Sequence, residues 1–332
     1  MILAVEIVLL VIVIVLAFMA LYIRDLMGAV IAFGAYSFIM CLIWAGMGAV
    51  DVAFTEAAVG AGVSTVFFIS ILLNTTRRIR FNPLDVSSKI FAAIVCIVVG
   101  YLLFLGISDF PEWGAVHSPV NKTVSPYFIE NAYKDTKVPN IVTAVLADYR
   151  SFDTMFETCV VFIAVLGIFT ILKRKESDED NDQNEQPTSL VIKVAARFMV
   201  PFIQLFGLYV VAHGHHSPGG GFQGGVILGA SLILIAMSYD IQFVQRYLSM
   251  NRMISLAALG VFIFAGWGLG PVFLGHSFLD YSAWAQVLPM DPIMARSHSM
   301  LIVEIGVALT VMCGMYGIYM SLVSDGGFKK GL

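Results

Sequence analysis

A polar, glycine-rich stretch interrupts this otherwise apolar chain at Ala212–Gly225. It reads Ala-His-Gly-His-His-Ser-Pro-Gly-Gly-Gly-Phe-Gln-Gly-Gly. It holds three of the six histidines and lies between two uncharged apolar runs, Val200–Val211 and Val226–Ser238. Glycines permit conformations and close approaches that other residues resist, and Pro218 removes a donor while it stiffens the chain. The pattern predicts a hairpin or reentrant turn between two helices, which is either a plain connection or a hydrated polar site.

The overall composition excludes an ordinary soluble domain. Of the 332 residues, 59% are hydrophobic and 13% are charged, and the mean hydropathy is +0.87. A soluble domain carries about 25% charged residues. The chain is therefore predicted to be a multi-pass protein of the cell membrane that contacts lipid and binds no nucleic acid. Neither a disulfide framework nor a thiolate metal site is predicted, because the four cysteines are isolated in apolar runs. They are Cys41, Cys96, Cys159 and Cys313.

Nine segments approach or reach the length of about 20 apolar residues that a helix needs to cross a bilayer. They are Met1–Ile23, Leu26–Gly48, Val52–Asn74, Ile90–Ile107, Thr154–Leu172, Leu190–Ala212, Phe222–Tyr239, Ile254–Leu274 and Ser299–Val323. The first is predicted to be a retained helix, since it has no basic leader region and no small-residue cleavage site. The predicted fold class is all-α, with about nine transmembrane helices.

The positions of Lys and Arg predict the orientation, because these residues tend to stay on the cytoplasmic side. With the N-terminus outside and the C-terminus inside, 14 of the 19 basic residues are cytoplasmic. Two long interruptions divide the chain. Ser108–Asp153 is predicted to lie over the outer surface or partly in the interface, and Lys173–Pro187, with three cations followed by six carboxylates, is predicted to be a flexible linker.

Carboxylates inside membrane spans are functional candidates by default, because they are costly to bury. Glu56 lies one and a half turns beyond Asp51, and α-helical spacing would place Gly60 and Ser64 on the same face. Small residues there would let a neighbouring helix approach and enclose Glu56. The alternative is a carboxylate that reaches the interface or caps a neighbouring backbone.

Glu304 has a similar setting in the last span, with a small residue, Ala308, one turn further on. Glu6 and Glu157 lie nearer the outer ends of their spans, where simple solvation is an alternative to a place in an ion pathway. Lys193 and Arg197 share one helix face. Their side chains either extend to the interface or line a polar half-channel towards the cytoplasm.

The three histidines of the hairpin, His213, His215 and His216, match no standard metal-ligand spacing and have no acidic or cysteine residue beside them. No metal site and no resident cofactor is therefore predicted. Because imidazoles titrate near neutral pH, a proton-relay or gating role remains open, beside the plainer role of hydrogen bonding within the turn.

Three parts of the chain resemble known families. Phe206–Ala230, which contains the hairpin, resembles the signature of the B subunit of Mrp/Mnh-type multisubunit sodium/proton antiporters, and the resemblance extends over Leu190–Leu322. Asp25–Gly34 and Asp51–Val63 resemble the C-terminal membrane region of the antiporter's A subunit, a region that forms the separate D subunit of energy-converting membrane-bound hydrogenases. Val138–Glu157 is similar to the region of the adjoining E subunit.

The resemblance implies a fusion of neighbouring subunits. Its predicted divisions are residues 1–84 (D-like), 85–172 (E-like), 173–187 (linker) and 188–332 (B-like). It implies a non-enzymatic subunit that contributes to Na+ and H+ translocation beside complex I-like proton-channel subunits. The host is either an antiporter or a respiratory complex with hydrogenase or other iron–sulfur subunits. Two alternatives remain open at this point, namely a non-transporting assembly scaffold and a stand-alone, histidine-dependent metal-ion transporter.

Overall fold

The structure is a computed structural model, and it describes residues 2–73, 75–78, 86–112, 114–172, 190–239 and 241–324. Within those residues every regular element is helical. The predicted linker at 173–187 lies outside the described residues. In chain order the helices are α1 (Ile2–Tyr22), α2 (Leu26–Gly46), α3 (Val50–Glu56), π1 (Ala57–Val63), α4 (Ser64–Leu73), α5 (Val86–Ser108), α6 (Pro119–Lys122), α7 (Val124–Thr136), α8 (Ile141–Ala144), π2 (Val145–Tyr149), α9 (Ser151–Leu172), α10 (Leu190–His213), α11 (Gly221–Ser238), α12 (Ile241–Tyr247), α13 (Met250–Phe273), a 3-10 helix (Tyr281–Gln286) and α14 (Pro292–Val323).

Nine helical stretches in the described part of the chain are long and apolar enough to cross a membrane, which confirms the predicted number of spans. Two of them differ from their predicted form. The third is interrupted by the π-helix π1, and the last, α14, begins at Pro292 and runs for 32 residues. Its early start follows from Asp291 and Pro292, since proline is favoured in the first turn of a helix. The N-out orientation stays a prediction from the positions of the basic residues.

The last helix, α14, forms the centre of the bundle. It packs against α13, α11, α9 and α4, and most of its buried positions lie between Val303 and Ser321. Close backbone contact is possible because glycines recur at every fourth position of α11. A Cβ atom on Gly225 would lie 2.8 Å from the carbonyl oxygen of Ala308, and one on Gly229 would lie 3.1 Å from that of Met312. Small residues at such a crossing allow two helices to meet backbone to backbone.

Two membrane helices lie at the periphery. No residue of α5 is buried, and α1 packs mainly on α2, with Val13 as its one buried hydrophobic residue among those described. Large apolar side chains are expected on such surfaces, because lipid is as apolar as a protein core. The polar contacts of the chain are therefore concentrated elsewhere, at one end of α14.

The segment between α5 and α9 folds over that end of α14. Ala132, Val138, Ala144 and Ala147 form a small buried cluster with Met300. An ion pair between Asp148 and Arg296 holds the segment in place, with Arg296 Nε 3.0 Å from Asp148 Oδ2. Tyr149 stacks under the guanidinium group and donates a hydrogen bond of 2.6 Å to Asp135.

Burial governs the charges of this network. It raises the pKa of Asp148, and the hydrogen bonds from Arg296 oppose that shift. Burial and the hydrogen bond to the Asp135 carboxylate both raise the pKa of Tyr149. The external segment predicted over residues 108–153 is thus a folded cap on the bundle, attached by a partly buried ion pair.

The contact between α13 and α14 gives a first prediction. A Cβ atom on Gly260 would overlap the Gly306 carbonyl oxygen and the Thr310 hydroxyl, whereas one on Gly266 would lie 3.7 Å from the nearest side-chain atom, in ordinary contact. We expect Gly260→Ala to cost about 1–3 kcal/mol by overpacking. The measurement is the apparent Tm of the purified protein, with Gly266→Ala on the same helix as the control. Equal melting temperatures for the two variants would contradict this account of the contact.

Candidate functional site

The turn between α10 and α11 confirms the predicted hairpin. After α10 ends at His213, the amide of His216 donates to the carbonyl of His213, at 2.9 Å. The amide of Gly220 donates back to the carbonyl of Val210, at 3.2 Å, so the turn folds against its own helix. Gly219 and Gly220 have φ angles of +155° and +133°, which residues with a side chain rarely adopt. The two glycines are therefore required by the backbone path of the turn.

The side chain of Asn140, at the start of α8, connects this hairpin to the cap formed by the segment between α5 and α9. Its Nδ2 atom lies 3.1 Å from the carbonyl oxygens of both Gly214 and Ser217. Its Oδ1 atom accepts from the amides of Val142 and Thr143 and so caps α8. The backbone amide of Asn140 donates to the carbonyl of His215. One residue thus satisfies polar groups of two separate segments.

Asp51 of α3 joins the same cluster from a third segment. Its Oδ1 atom accepts from the backbone amide of Gly219, at 3.2 Å, and lies 3.4 Å from Asn140 Nδ2. One turn further along, the hydroxyl of Thr55 accepts a 2.9 Å hydrogen bond from Nε2 of Gln223 on α11. The regions that the sequence assigns to the D-like, E-like and B-like parts therefore meet at one polar seam.

Glu304 of α14 lies beside this seam and is 8% exposed. A Cβ atom on Gly220 would lie 3.4 Å from its Oε1 atom, and Oε2 has no hydrogen-bond partner among the described residues. The charged group that acts on Glu304 is Asp51. Two carboxyl groups thus flank Gly219 and Gly220, one accepting from a backbone amide and the other buried.

Glu56 occupies a separate niche between α2 and α3. Its Oε1 atom occupies the space that a Cβ atom on Gly60 would need, and the hydroxyl of Ser37 on α2 lies 2.9 Å from that Cβ position. Gly60 therefore lies beneath the carboxylate as predicted. A π-helix from Ala57 to Val63 replaces the α-helical turns from which the place of Ser64 was expected, and that place stays a prediction. Such π-helical turns occur frequently at functional sites.

The three hairpin histidines have different surroundings. His213 stacks on Tyr209 with ring centroids 4.8 Å apart, and His216 is exposed. His215 is partly buried, and its Nε2 atom has no hydrogen-bond partner among the described residues. Burial lowers the pKa of His215, and the neighbouring His216 and His298 lower it further. Within the described ranges no three His, Cys, Asp or Glu side chains come together as metal ligands.

The remaining candidates are not brought to the seam. Lys193 and Arg197 lie towards the opposite end of α10 from the hairpin, and the side chain of Arg197 is exposed. Glu157 is exposed on α9. Asn140, Gln223 and Thr55 were not predicted. A signal for Asn140 existed, because Pro139-Asn140 before an apolar run is typical of a helix N-cap, whereas neutral polar residues within apolar helices give no comparable signal.

Three families match successive parts of the chain. Residues 11–77 match the D subunit of MBH, residues 91–187 match the E subunit of MBH, and residues 191–317 match a domain related to the MnhB subunit of Na+/H+ antiporters. The B subunit of the Na+/H+ antiporter of Bacillus subtilis is 32% identical over 150 residues, which is 44% of this chain and 99% of that protein.

The chain belongs to the Mrp-type antiporter subunit family. It joins MbhD-like, MbhE-like and MnhB-related regions in one polypeptide. A probable A/B subunit of a K+/H+ antiporter from Rhizobium meliloti is 26% identical over 295 residues, and this region covers 80% of the present chain but 29% of that protein. The present member of the family thus spans under a third of that relative's length.

Two solved structures show the same arrangement of helices. A chain of the Mrp complex from Dietzia sp. DQ12-45-1b superposes with a TM-score of 0.72 and 26% identity, covering 98% of this family member and 35% of that chain. A chain of the membrane-bound sulfane sulfur reductase, an archaeal respiratory membrane complex, gives a TM-score of 0.53 and 26% identity, covering 71% and 98% of the two chains.

The polar seam predicts that Asn140 is critical for stability. Asn140→Ala removes the α8 cap, at about 1 kcal/mol, and the side-chain donor of the Ser217 carbonyl, at about 1–3 kcal/mol, whereas the Gly214 carbonyl still accepts from Thr143. Asn140→Ser should recover the cap but not the hairpin bonds. The measurement is the apparent Tm, with Asn131→Ala as the control, because Asn131 bonds only within its own helix. An Asn140→Ala protein with the same apparent Tm as the Asn131→Ala control would contradict the prediction.

The lowered pKa of His215 predicts loss of stability in acid. Below the ordinary histidine value of about 6.5 the unfolded chain takes up a proton that folded His215 resists, so acidification favours unfolding. We expect the fall in apparent Tm between pH 7.5 and pH 5.5 to be smaller for His215→Gln than for the unaltered protein. His117→Gln, at an exposed position, should leave the fall unchanged. Identical pH profiles for the two variants would rule out this contribution of His215.

Proposed function

We propose that the chain is an integral subunit of an Mrp-type antiporter module and contributes to the exchange of Na+ or another monovalent cation for protons. It acts in transport rather than as an enzyme. The observation that carries the proposal is the polar seam, where Asp51, Asn140 and the Gly219–Gly220 turn join three regions that match separate subunits. Polar and ionisable groups inside a membrane bundle are costly and mark ion pathways.

Glu56 is the proposed carrier site. Its carboxyl lies against α2, with Gly60 beneath it and Ser37 opposite. No basic side chain among the described ion pairs contacts it. A carboxyl group in such a niche is neutral when it holds a proton. When it has lost the proton, a bound cation balances its negative charge. Alternation between these two forms is what coupled movement of a cation and a proton needs. A π-helix starts directly after this residue, at Ala57, and such turns occur frequently at functional sites.

The proposed partners are other subunits of an Mrp-like module, including complex I-like proton-channel subunits, in the cell membrane. The Rhizobium and Dietzia relatives are much longer than this chain, and that difference supports partners that supply the remaining part. The likeness to a chain of an archaeal respiratory membrane complex supports a redox-driven host, with hydrogenase or other iron–sulfur subunits, as a second setting. The exposed surface of α5 is available for such contacts.

The histidine-dependent metal transporter is not favoured. His213 is committed to stacking on Tyr209, His216 is exposed, and neither carboxylate of the seam forms a hydrogen bond with a hairpin imidazole among the described contacts. The turn instead contributes backbone amides and glycines to the seam. A purely structural scaffold makes a different experimental prediction from a carrier, because its polar residues affect assembly and not transport.

The test is Glu56→Gln in the assembled complex, measured as Na+-dependent and K+-dependent dissipation of a pH gradient in inverted membrane vesicles. The amide keeps the shape of the side chain but cannot exchange a proton, so transport per assembled complex should fall at least tenfold. Glu6→Gln, a carboxylate change in the peripheral helix α1, should leave transport unchanged. Full transport by a normally assembled Glu56→Gln complex would falsify the carrier role and favour the scaffold.

A further inference from the structure

No described residue beside the Glu304 carboxyl group offers a positive charge that would balance the ionised form. Glu304 is 8% exposed in the middle of the bundle, and its Oε2 atom has no hydrogen-bond partner among the described residues. No basic side chain of the described residues forms an ion pair with it, and the charged group that acts on it is another carboxylate, Asp51. An isolated carboxylate in such a place is too costly to persist. Glu304 must therefore hold either a proton or a cation.

A second side-chain oxygen lies beside Gly220. Oε1 of Glu304 and Oε1 of Gln223 lie 3.4 Å and 3.5 Å from the point that a Cβ atom would occupy on Gly220. The amide nitrogen of Gln223 is used by Thr55, to which it donates at 2.9 Å, so the carbonyl oxygen is the end that faces Gly220. Both oxygens are acceptors, so neither can satisfy the other unless Glu304 carries a proton.

The Gly219–Gly220 turn separates this pair of oxygens from Asp51. Asp51 Oδ1 is held by the amide of Gly219, at 3.2 Å, and by Asn140 Nδ2, at 3.4 Å. A Cβ atom on Gly220 would meet the Glu304 and Gln223 oxygens at ordinary contact distance, so it is the φ angle of +133° that favours glycine at this position. Asp51 is half-buried, and its carboxylate adds negative potential beside the turn. A cation that reaches the turn is therefore attracted by Asp51.

We propose that Glu304, Gln223 and the Gly219–Gly220 turn form an exchange site that holds either a proton or one desolvated monovalent cation. When the cation enters, the O–H bond of the Glu304 carboxyl breaks, the proton leaves, and the carboxylate and the Gln223 carbonyl oxygen ligate the cation. The net charge of the site is the same in both states, which is why an apolar bundle tolerates it. A divalent ion would leave one uncompensated positive charge. The inference deepens the proposed function and rests on it, but it concerns a site distinct from Glu56.

Transport in inverted vesicles of the assembled complex tests the site. Glu304→Gln and Gln223→Leu should each raise the cation concentration for half-maximal dissipation of the pH gradient at least tenfold, measured separately with Na+ and K+. Glu304→Gln should also flatten the dependence of that concentration on pH, because the competing proton no longer has a site. Glu304→Asp, which keeps the charge on a shorter side chain, should keep the pH dependence. Glu6→Gln and Glu130→Gln are the controls for carboxylates outside the site.

Chemical labelling provides a readout that does not depend on transport. Dicyclohexylcarbodiimide modifies protonated carboxyl groups in apolar surroundings, and mass spectrometry locates the modified residue. We expect labelling of Glu304 that increases as the pH falls and is suppressed by NaCl or KCl but not by choline chloride at equal ionic strength. Gln223→Leu should weaken the suppression by the cation.

The outcomes separate this proposal from the carrier role of Glu56. A normally assembled Glu304→Gln complex whose half-saturating cation concentration and pH profile lie within twofold of the unaltered complex overturns the exchange site. Glu304 labelling that choline suppresses as well as Na+ and K+ overturns it too. If Glu56→Gln is fully active while Glu304→Gln shows the expected changes, the carrier role fails and the exchange site stands.

Discussion

The hydrogen bonds of Asn140 are the interaction on which the arrangement at the hairpin depends. Buried backbone groups that leave a helix must be satisfied within the protein, because a buried polar group without a partner is costly. The turn after His213 frees the carbonyls of Gly214, His215 and Ser217, and Asn140 binds all three through its side chain and backbone amide. In return the hairpin fixes the position of the cap between α5 and α9.

The same constraint explains why polar residues are shared among regions that match separate subunits. Asp51 accepts from the hairpin amide of Gly219, and Thr55 accepts from Gln223 of α11. Each region provides donors or acceptors that another region lacks, so none of them satisfies its polar groups alone. This arrangement also brings Asp51 to the vicinity of Glu304, on the central helix α14.

The helix α14 carries both the closest helix contacts and the buried carboxyl group of Glu304. Gly221, Gly225 and Gly229 let α11 approach its backbone so closely that there is little room for water along the contact. Glu304 lies at the Gly221 end of this contact, where a Cβ atom on Gly221 would overlap the Glu304 carbonyl oxygen, and its side chain is buried there. Glu56 reaches a comparable niche by other means, since Gly60 and the π-helix make room for its carboxyl against α2. The fold therefore contains two carboxyl sites in separate surroundings.

The sequence by itself determined the membrane class, the nine spans, the hairpin and the family, because these depend on composition, on the length of apolar runs and on a distinctive local motif. It also indicated Glu56 and Glu304, since charged residues are conspicuous in apolar helices. Only the tertiary structure decided which polar residues meet. Asn140, Thr55 and Gln223 are neutral, lie far apart in the chain and acquire their importance from contacts across three helices, and the register of π1 depends on packing rather than on local spacing.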